Sequence, residues 1–276
     1  MSAIQSVTRP DSVAVLTFDQ PGSKANVLTA HLWTEFESVL DSLATRTDLK
    51  GLVLASAKPG IFIAGADLNL LVNAPAPNDP AVRGFIEHGL RVLEKLESLP
   101  FPTCAAIDGA ALGGGLEVAL ACDMRIAGTN PKVRLGLPEV TLGLIPGWGG
   151  TQRLPRIVGL EKASEMLTSG RPLEASEAAA CGLVSQVADS ASLVAAAEDW
   201  TSTGRKARGK QGALATSMTA QSGLTGAAAE AVRVMLEGTV CPLKQGIVIE
   251  TEAFMRLAGS EESKRLIAAF FASRKK

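Results

Sequence analysis

The chain has 276 residues, 46% of them hydrophobic and 20% charged, and its formal net charge at pH 7 is -1. This composition is typical of a globular protein with a sizeable core rather than of a disordered chain. So small a net charge provides no overall field for nucleic acid, which is therefore not expected as a partner.

The start of the chain and its apolar segments predict a cytoplasmic protein. Residues 1–10 have neither the apolar run of a secretory signal nor the Arg-rich pattern of a transit peptide. No stretch reaches about 18 uninterrupted apolar residues, so no membrane span is expected.

Cys104, Cys122, Cys181 and Cys241 are far apart. This spacing excludes a CxxC metal or dithiol motif and favours reduced, buried thiols.

The first half of the chain alternates between predicted strands and helices. Ile4–Thr8 and Val13–Phe18 predict a hairpin, and the apolar runs Gly51–Ala55 and Thr103–Ile107 are typical of buried strands. Between these two runs, residues 80–99 predict an amphipathic helix. The alternation favours an α/β fold with parallel strand pairs.

Beyond Pro172 the pattern becomes mostly helical. Helices are predicted at 174–180, 191–203, 226–236, 245–257 and 262–271, with one strand at 183–187. The segment 203–212 contains Gly, Lys and Arg and is the best candidate for a mobile linker or loop, and an ordinary solvated basic loop is the alternative. We expect a core domain at 1–190, which contains the active site, and a helical oligomerisation region at 191–276.

The segment 108–120 (DGAALGGGLEVAL) carries the strongest chemical pattern. Its consecutive glycines follow a predicted strand and open a predicted helix, where unusual dihedral angles or a close ligand are accommodated. A helix N-terminus presents N–H groups to developing negative charge, which makes Gly114 a candidate donor. Close packing explains the glycines equally well. A nucleotide site is not expected, because the P-loop lysine is missing and Val118 replaces a required glycine.

Two glutamates are candidates for acid/base chemistry. Glu117 is flanked one turn away by small and apolar residues, so its charged form should be disfavoured and its pKa raised. A raised pKa suits proton transfer near neutral pH. Glu139 lies in a similar apolar segment, 135–147 (LGLPEVTLGLIPG). An exposed position is the alternative for Glu117, and spacing alone does not show that the two carboxyl groups meet.

A third segment, 62–68 (FIAGADL), follows the strand at 51–55 after a turn. Its small residues would let a thioester carbonyl approach the main chain. A tight turn from strand to helix explains them equally well.

Taken together, these segments resemble the crotonase superfamily, also called the enoyl-CoA hydratase/isomerase family. The resemblance rests on residues 63–67, on 109–117 with Cys122 and Asp123, and on 138–154, and it covers nearly the whole chain. It implies an α/β crotonase-like fold, a spiral of ββα units with a helical C-terminal region. It also implies a homotrimer or a dimer of trimers. Coenzyme A would enter as part of an acyl-CoA substrate, with no separate cofactor and no metal.

The resemblance assigns roles residue by residue. It implies an oxyanion hole formed by the backbone N–H groups of Ala66 and Gly114, with Glu117 and Glu139 as the catalytic carboxyl groups. It implies that Gly147 positions the water. The remaining implied substrate-binding residues are Lys24, Ala25, Ala64, Gly65, Asp67, Leu68, Gly113, Pro138 and Trp148. Ile145 and Trp148 are candidates for the wall of the acyl pocket.

Within the family, the chain resembles the N-terminal hydratase/isomerase part of the multifunctional β-oxidation α-subunit. Residues 254–266 and the pair Phe270–Phe271 resemble the connector that precedes the dehydrogenase part of that protein. A dehydrogenase activity is not expected from these 276 residues. The implied reaction is syn addition of water to a trans-2-enoyl-CoA, which gives a 3-hydroxyacyl-CoA.

Other functions stay open. A 3,2-enoyl-CoA isomerase needs one carboxylate and the same hole, and thioester hydrolases and decarboxylases of the family reuse the hole. A non-catalytic acyl-CoA-binding subunit would bind without turnover, and two intact glutamates count against it. A serine hydrolase is disfavoured, because GxSxG is missing and His31 and His88 lie in helical patterns.

Overall fold

A computed structural model describes residues 2–204, 206, 213–214 and 223–273. Within these residues the strands are β1 (Ile4–Thr8), β2 (Val13–Phe18), β3 (Gly51–Ser56), β4 (Gly60–Ile63), β5 (Thr103–Ile107), β6 (Gly109–Leu112), β7 (Met124–Gly128), β8 (Arg134–Gly136) and β9 (Gln186–Ala188). The helices are α1 (Ala30–Ala44), α2 (Leu68–Val72), α3 (Pro80–Ser98), α4 (Gly114–Ala121), α5 (Gly150–Val158), α6 (Leu160–Ser169), α7 (Ala175–Ala180), α8 (Leu193–Ser202), α9 (Gly226–Thr239), α10 (Leu243–Leu257) and α11 (Glu261–Ser273). A 3-10 turn covers Glu139–Leu142.

The larger sheet has the strand order β1-β2-β3-β5-β7-β9. β1 and β2 form the predicted antiparallel hairpin, and the other neighbours pair in parallel. β3 and β5 are buried almost throughout, in agreement with their continuous apolar sequences. The predicted hairpin, buried strands and parallel pairing are therefore confirmed.

The smaller sheet has the order β4-β6-β8. In three successive units, β3–β4, β5–β6 and β7–β8, the first strand joins the larger sheet and the second joins the smaller one. A helix or a 3-10 turn follows each pair. This repetition of ββα units is the fold that the family resemblance implies.

The chain divides into two compact units. The first contains residues 1–66, 91–135 and 173–209, and the second contains 67–90, 136–172 and 210–276. The sequence-based division at residue 190 remains a prediction about folding domains.

The core of the first unit lies between the larger sheet and α8. Val15, Val53 and Ile126 project from neighbouring strands and pack with Leu193 and Ala197 of α8. Burying a side chain such as valine or isoleucine contributes about 1.5–3 kcal/mol. This layer therefore fixes the strands whose ends lead toward the candidate site.

One predicted strand begins later than the sequence pattern indicated. The run 183–187 was expected to be a strand, but β9 starts at Gln186. Leu183 and Val184 instead bury their side chains, and their N–H groups donate to the Ala178 carbonyl at the end of α7. Leu183 and Val184 therefore complete the C-terminal end of α7 instead of joining the strand, so β9 is short. The segment predicted as a linker, 203–212, lies mostly outside the described residues.

The cysteines are free thiols. Cys104 and Cys122 are buried as predicted, and burial raises the pKa of the Cys104 thiol to about 12. Cys181 and Cys241 are only half-buried, so the expectation of four buried thiols was wrong for these two.

In the part of the chain that the structure describes, no helix is both long and apolar enough to cross a membrane.

Candidate active site

Helix α4 begins at the glycine run that the sequence singled out. Strand β6 ends at Leu112, and Gly113 turns the chain with φ 52° and ψ −126° before α4 starts at Gly114. A positive φ of this kind favours glycine, because a side chain would crowd the main chain. The Gly113 carbonyl accepts the N–H of Glu117. The first N–H groups of the helix have no intrahelical acceptor and are available to a ligand.

Strands β4 and β6 bring the two predicted oxyanion donors to the same end of the smaller sheet. They pair in parallel with Ile63 opposite Ala111. Ala66 and Gly114 each follow three residues after that pair. A Cβ on Gly65, which has φ +109°, would lie 3.3 Å from the Leu112 carbonyl oxygen. The loops that carry the two N–H groups therefore run side by side within the first unit.

Glu117 lies in the first turn of α4 and is fully buried. The other seven residues of the helix are also buried, and each is glycine, alanine, valine or leucine. The surface position considered for Glu117 is therefore wrong. Its carboxyl group lies in the same helical turn as the Gly114 N–H group, within the first unit.

Asn26 fixes the loop that contains the predicted residues Lys24 and Ala25. Its side chain is fully buried and donates to the Phe18 and Phe62 carbonyls. The Asn26 carbonyl accepts the N–H of Ala64. The structure therefore brings the loop at 24–25 to the end of β4, with Lys24 exposed. Asn26 was not singled out from the sequence.

Asp67 and Leu68 open the short helix α2. The Asp67 carboxylate accepts the Asn69 N–H at 3.0 Å and so caps the helix. This local bond explains an aspartate at this position. Substrate binding by Asp67 and Leu68 remains a prediction.

Glu139 begins the 3-10 turn in the second unit. Its carbonyl accepts the Leu144 N–H at 3.1 Å, while Gly143, at φ 68°, ends the turn. The residue as a whole is partly exposed, but its Oε2 is buried and has no hydrogen-bond partner among the described residues. Burial, reinforced by the negative charge of Glu250, raises the pKa of Glu139 to about 8. Glu139 therefore binds and releases a proton near neutral pH.

Glu250 on α10 is fully buried, and the sequence analysis missed it. Its carboxylate accepts the N–H groups of Gly149 and Thr151 and the Thr151 hydroxyl, at 2.5–2.8 Å. These bonds hold the first turn of α5 from outside that helix. Burial raises the pKa of Glu250 to about 7, opposed by these hydrogen bonds and by Arg153. A signal was available: one turn away lie Gly246, Ile247, Ala253 and Phe254.

Gly147 and Trp148 lie just before the turn that Glu250 holds. A Cβ on Gly147 would lie 3.0 Å from the Phe254 ring and 3.2 Å from Ile86. The indole N–H of Trp148 donates to the Ile86 carbonyl at 3.1 Å, and its ring meets Phe85 edge-on. Close packing in the second unit thus fixes both residues.

The predicted residues fall in two groups. The first unit contains Lys24, Ala25, Ala64, Gly65, Ala66, Gly113, Gly114 and Glu117, and the second contains Asp67, Leu68, Pro138, Glu139, Gly147 and Trp148. The first group combines main-chain donors with a buried carboxyl group, and the second provides a carboxyl group that titrates near neutral pH. No group of three or more possible metal-binding His, Cys, Asp or Glu residues occurs among the described residues. Main-chain donors next to a buried carboxyl group, as in the first unit, suit proton transfer next to a stabilised oxyanion.

The family described as enoyl-CoA hydratase/isomerase matches residues 8–248. A curated relative, the α-subunit of the fatty acid oxidation complex of Shewanella halifaxensis (strain HAW-EB4), is 37% identical over 291 residues. The match covers 96% of this chain and 40% of the relative, so the chain spans well under half of that protein. The predicted resemblance to a β-oxidation α-subunit is confirmed.

Solved structures of similar proteins cover almost the whole chain. An enoyl-CoA hydratase from Bacillus anthracis is 30% identical, with a TM-score of 0.68 over 99% of this chain and 97% of its own. A putative enoyl-CoA hydratase from Streptomyces avermitilis is 25% identical, with a TM-score of 0.72 over 98% and 91% of the two chains. The crotonase-like fold is therefore confirmed.

Proposed function

Because the chain belongs to the enoyl-CoA hydratase/isomerase family, we propose that it adds water to a trans-2-enoyl-CoA and produces a 3-hydroxyacyl-CoA. The observation that carries the proposal is the first turn of α4. There the fully buried carboxyl group of Glu117 follows the Gly114 N–H, and the loop of Ala66 runs alongside. These groups suit an α,β-unsaturated thioester, whose carbonyl oxygen becomes negative when a nucleophile adds at the β-carbon.

The N–H groups of Ala66 and Gly114 hold the thioester oxygen in this mechanism. As the water oxygen bonds to the β-carbon, the electrons of the double bond move toward the thioester oxygen and form an enolate. Donors already in place stabilise this charge without rearranging, and one such donor typically accounts for about 100- to 1000-fold in rate. Main-chain donors suit the task because the two strand ends fix their direction.

Glu139 takes a proton from the attacking water while Glu117 orients that water and assists proton delivery to the α-carbon. The hydroxyl remains on the β-carbon, and the two-carboxyl site returns one proton to the α-carbon, so the net change is addition of water. The raised pKa of Glu139, about 8, supports this role because the group exchanges protons near neutral pH. Convergence of Glu117 and Glu139 on one water is part of the proposal.

Two carboxyl groups favour hydration over isomerisation. A 3,2-enoyl-CoA isomerase moves one proton between carbons and needs a single base beside the same hole. Glu117 is fully buried, and the Oε2 of Glu139 is buried with no hydrogen-bond partner among the described residues, which costs free energy that a role in proton transfer would explain. Isomerase activity remains the second candidate, consistent with the description of the family. Assembly as a homotrimer or a dimer of trimers is supported by the family resemblance alone.

The test measures hydration of crotonyl-CoA by the purified protein and its Glu139→Gln and Glu117→Gln variants. Each variant should lower kcat by about 100- to 10,000-fold, the usual contribution of acid/base catalysis. Glu261→Gln, which alters a side chain that is 97% exposed, is the matched control and should keep full activity. Folded Glu139→Gln protein that hydrates crotonyl-CoA at the parent rate would refute the assignment. Parallel assays with a 3-enoyl-CoA would detect isomerase activity.

A further inference from the structure

Glu250 is a buried carboxylate in the same compact unit as the candidate catalytic Glu139, and the mechanism above does not use it. It lies on α10, far from Glu139 in sequence, and both belong to the second unit. Its oxygens are occupied by main-chain and hydroxyl donors of Gly149 and Thr151. Since those donors already satisfy Glu250, direct contact with substrate is not what explains its burial.

We propose that Glu250 is a positioning residue for the hydration, which holds the turn at 147–151 and acts on Glu139 through its negative charge. The proposal rests on the proposed function in that Glu139 is taken as the base. It adds a residue that touches neither water nor substrate and acts through the base and through the turn after Gly147.

The hydrogen bonds of Glu250 show how it holds the turn. Its two oxygens receive the Gly149 and Thr151 N–H groups, which α5 itself cannot satisfy because they belong to its N-terminal end. Arg153 donates to the Trp148 carbonyl at 2.7 Å from the same helix. The bonds that Glu250 accepts and the bond that Arg153 donates together fix residues 148–151.

The charge of Glu250 also disfavours the ionisation of Glu139. Two nearby carboxyl groups in a buried setting disfavour each other's ionisation, so their protons leave in two steps that belong to the pair. The charge of Glu250 contributes to the raised pKa of Glu139, after burial. Glu250 thus makes Glu139 a base that holds a proton at higher pH than burial alone would achieve.

Other charged groups surround the pair. The 3-10 turn of Glu139 packs against α6, α9 and α11, and α10, which carries Glu250, packs against α5 and α9. Arg153 of α5 lowers the pKa of Glu250. Among the described residues, the other helices carry the ion pairs Lys162–Glu165 on α6, Arg233 with Glu230 and Glu237 on α9, and Lys264–Glu261 on α11, while Glu165 also meets Arg171 and Glu230 also meets Arg256 of α10. On α11 the Cγ of Glu262 lies 3.3 Å from a Cβ built on Gly143.

Glu250→Gln removes the charge and keeps the shape. If Glu139 is the base, kcat/KM of the parent protein rises as Glu139 loses its proton near pH 8. In Glu250→Gln this rise should move to lower pH by about one unit or more, the size expected for strongly interacting groups. Glu250→Asp keeps the charge but shortens the side chain, so its hydrogen bonds to Gly149 and Thr151 should weaken and kcat should fall. Glu252→Gln, an exposed change two residues along α10, is the control and should alter neither.

An unchanged pH profile in folded Glu250→Gln, with kcat lower by the same factor at every pH, would leave only a structural role and overturn the proposal. Should Glu250→Gln not fold, Thr151→Val serves instead, since it removes one hydroxyl donor to Glu250. Without that donor Glu250 holds its own proton to higher pH, and the profile should again move to lower pH. No movement would refute the proposal.

A measurement without substrate separates this proposal from the proposed function. Glu139→Gln should stabilise the protein above pH 8 by removing a buried charge, and this gain should be smaller when Glu250 has already been replaced by Gln. Equal gains in the two backgrounds would overturn the coupling whether or not the protein is a hydratase. A parent protein that hydrates no enoyl-CoA, but shows unequal gains, would refute the function and keep the coupling.

Discussion

Gly115 of helix α4 lies against the carbonyl oxygen of Ile63 at the end of strand β4, where an added Cβ would be 2.1 Å from that oxygen. The contact joins the helix that carries Glu117 to the strand that leads to Ala66. Gly115→Ala should therefore push the helix from the strand and cost about 1–3 kcal/mol or more in the free energy of unfolding. Since the two proposed oxyanion donors, the N–H groups of Ala66 and Gly114, would also separate, kcat should fall.

Gly84→Ala is the control for this prediction. It lies in α3 with no atom within 4 Å of an added Cβ, so alanine should stabilise the helix by about 0.5–1 kcal/mol. Urea unfolding and steady-state kinetics of both variants test the pair. Equal effects of the two changes would contradict the predicted close contact.

The stability of the protein should depend on pH through Glu139. Its pKa in the folded state, about 8, lies above the unfolded value of about 4.3. Its stabilising contribution is therefore complete below pH 4 and is lost as the pH rises through 8, at about 1.4 kcal/mol per pH unit at most. Glu139→Gln, which mimics the protonated form, should flatten this decline. Unfolding free energies at pH 5 and pH 9 measure it, and a parallel decline in both proteins would count against the raised pKa.

Asn26→Ala should weaken both the fold and the binding of an acyl-CoA. It removes the side-chain donor to the Phe18 and Phe62 carbonyls, which would stay buried without that bond. Such losses cost about 1–3 kcal/mol. Because the loop of Lys24 and Ala25 would loosen, KM for crotonyl-CoA should rise more than kcat falls. Asn73→Ala, which removes an exposed bond to the Asn69 carbonyl, should change little.

Gly89→Ala should displace the indole of Trp148. A Cβ at position 89 would lie 2.3 Å from the indole nitrogen, so the bond from Trp148 to the Ile86 carbonyl should break. We expect a loss of about 1–3 kcal/mol in stability and a change in tryptophan fluorescence. If Trp148 also borders the acyl pocket, the ratio of kcat/KM for short and long enoyl thioesters should change. An unchanged ratio of kcat/KM for the two substrates would show that Trp148 does not border the acyl pocket.

The larger sheet and the main helices could be predicted from the sequence because their patterns are strong. The hairpin at Ile4–Phe18 and the strand Thr103–Ile107 occur where alternation and continuous apolar runs place them. The helix predicted at 80–99 ends within one residue of its observed end. In each case local residues determine both the element and its burial.

The smaller sheet could not be predicted from residue patterns alone. Its strands GIFI, GAAL and RLG are three or four residues long, too short to show a period of two, and two of them begin with glycine. Strands β4 and β6 approach each other where Gly109 lies against the main chain of Gly60 and Ile61, and this contact joins residues that are far apart in the sequence. Only the family resemblance indicated the ββα repeat.

The candidate site was partly predictable for a similar reason. Glu117 was predicted to be buried because its own helix is apolar, and the structure confirms that burial. Glu250 carries a comparable pattern on α10 but was missed. Its partners Gly149 and Thr151 lie about a hundred residues earlier in the chain. The sequence marks a buried carboxyl group locally and gives no indication of what it faces.

The parallel register of Ile63 and Ala111 places two backbone N–H groups, those of Ala66 and Gly114, at the same end of the smaller sheet, and this affects which substitutions the chain can accept. A backbone N–H group is kept when its side chain is exchanged. Alanine scanning therefore leaves residue 66, which is already alanine, unchanged, and at Gly114 it would reveal only the effect of the added methyl group on packing. Replacing either amide by an ester is the modification that removes the group itself. Under the proposed function, side chains near these amides can therefore diversify toward new acyl groups while the N–H groups that receive the negative charge stay the same.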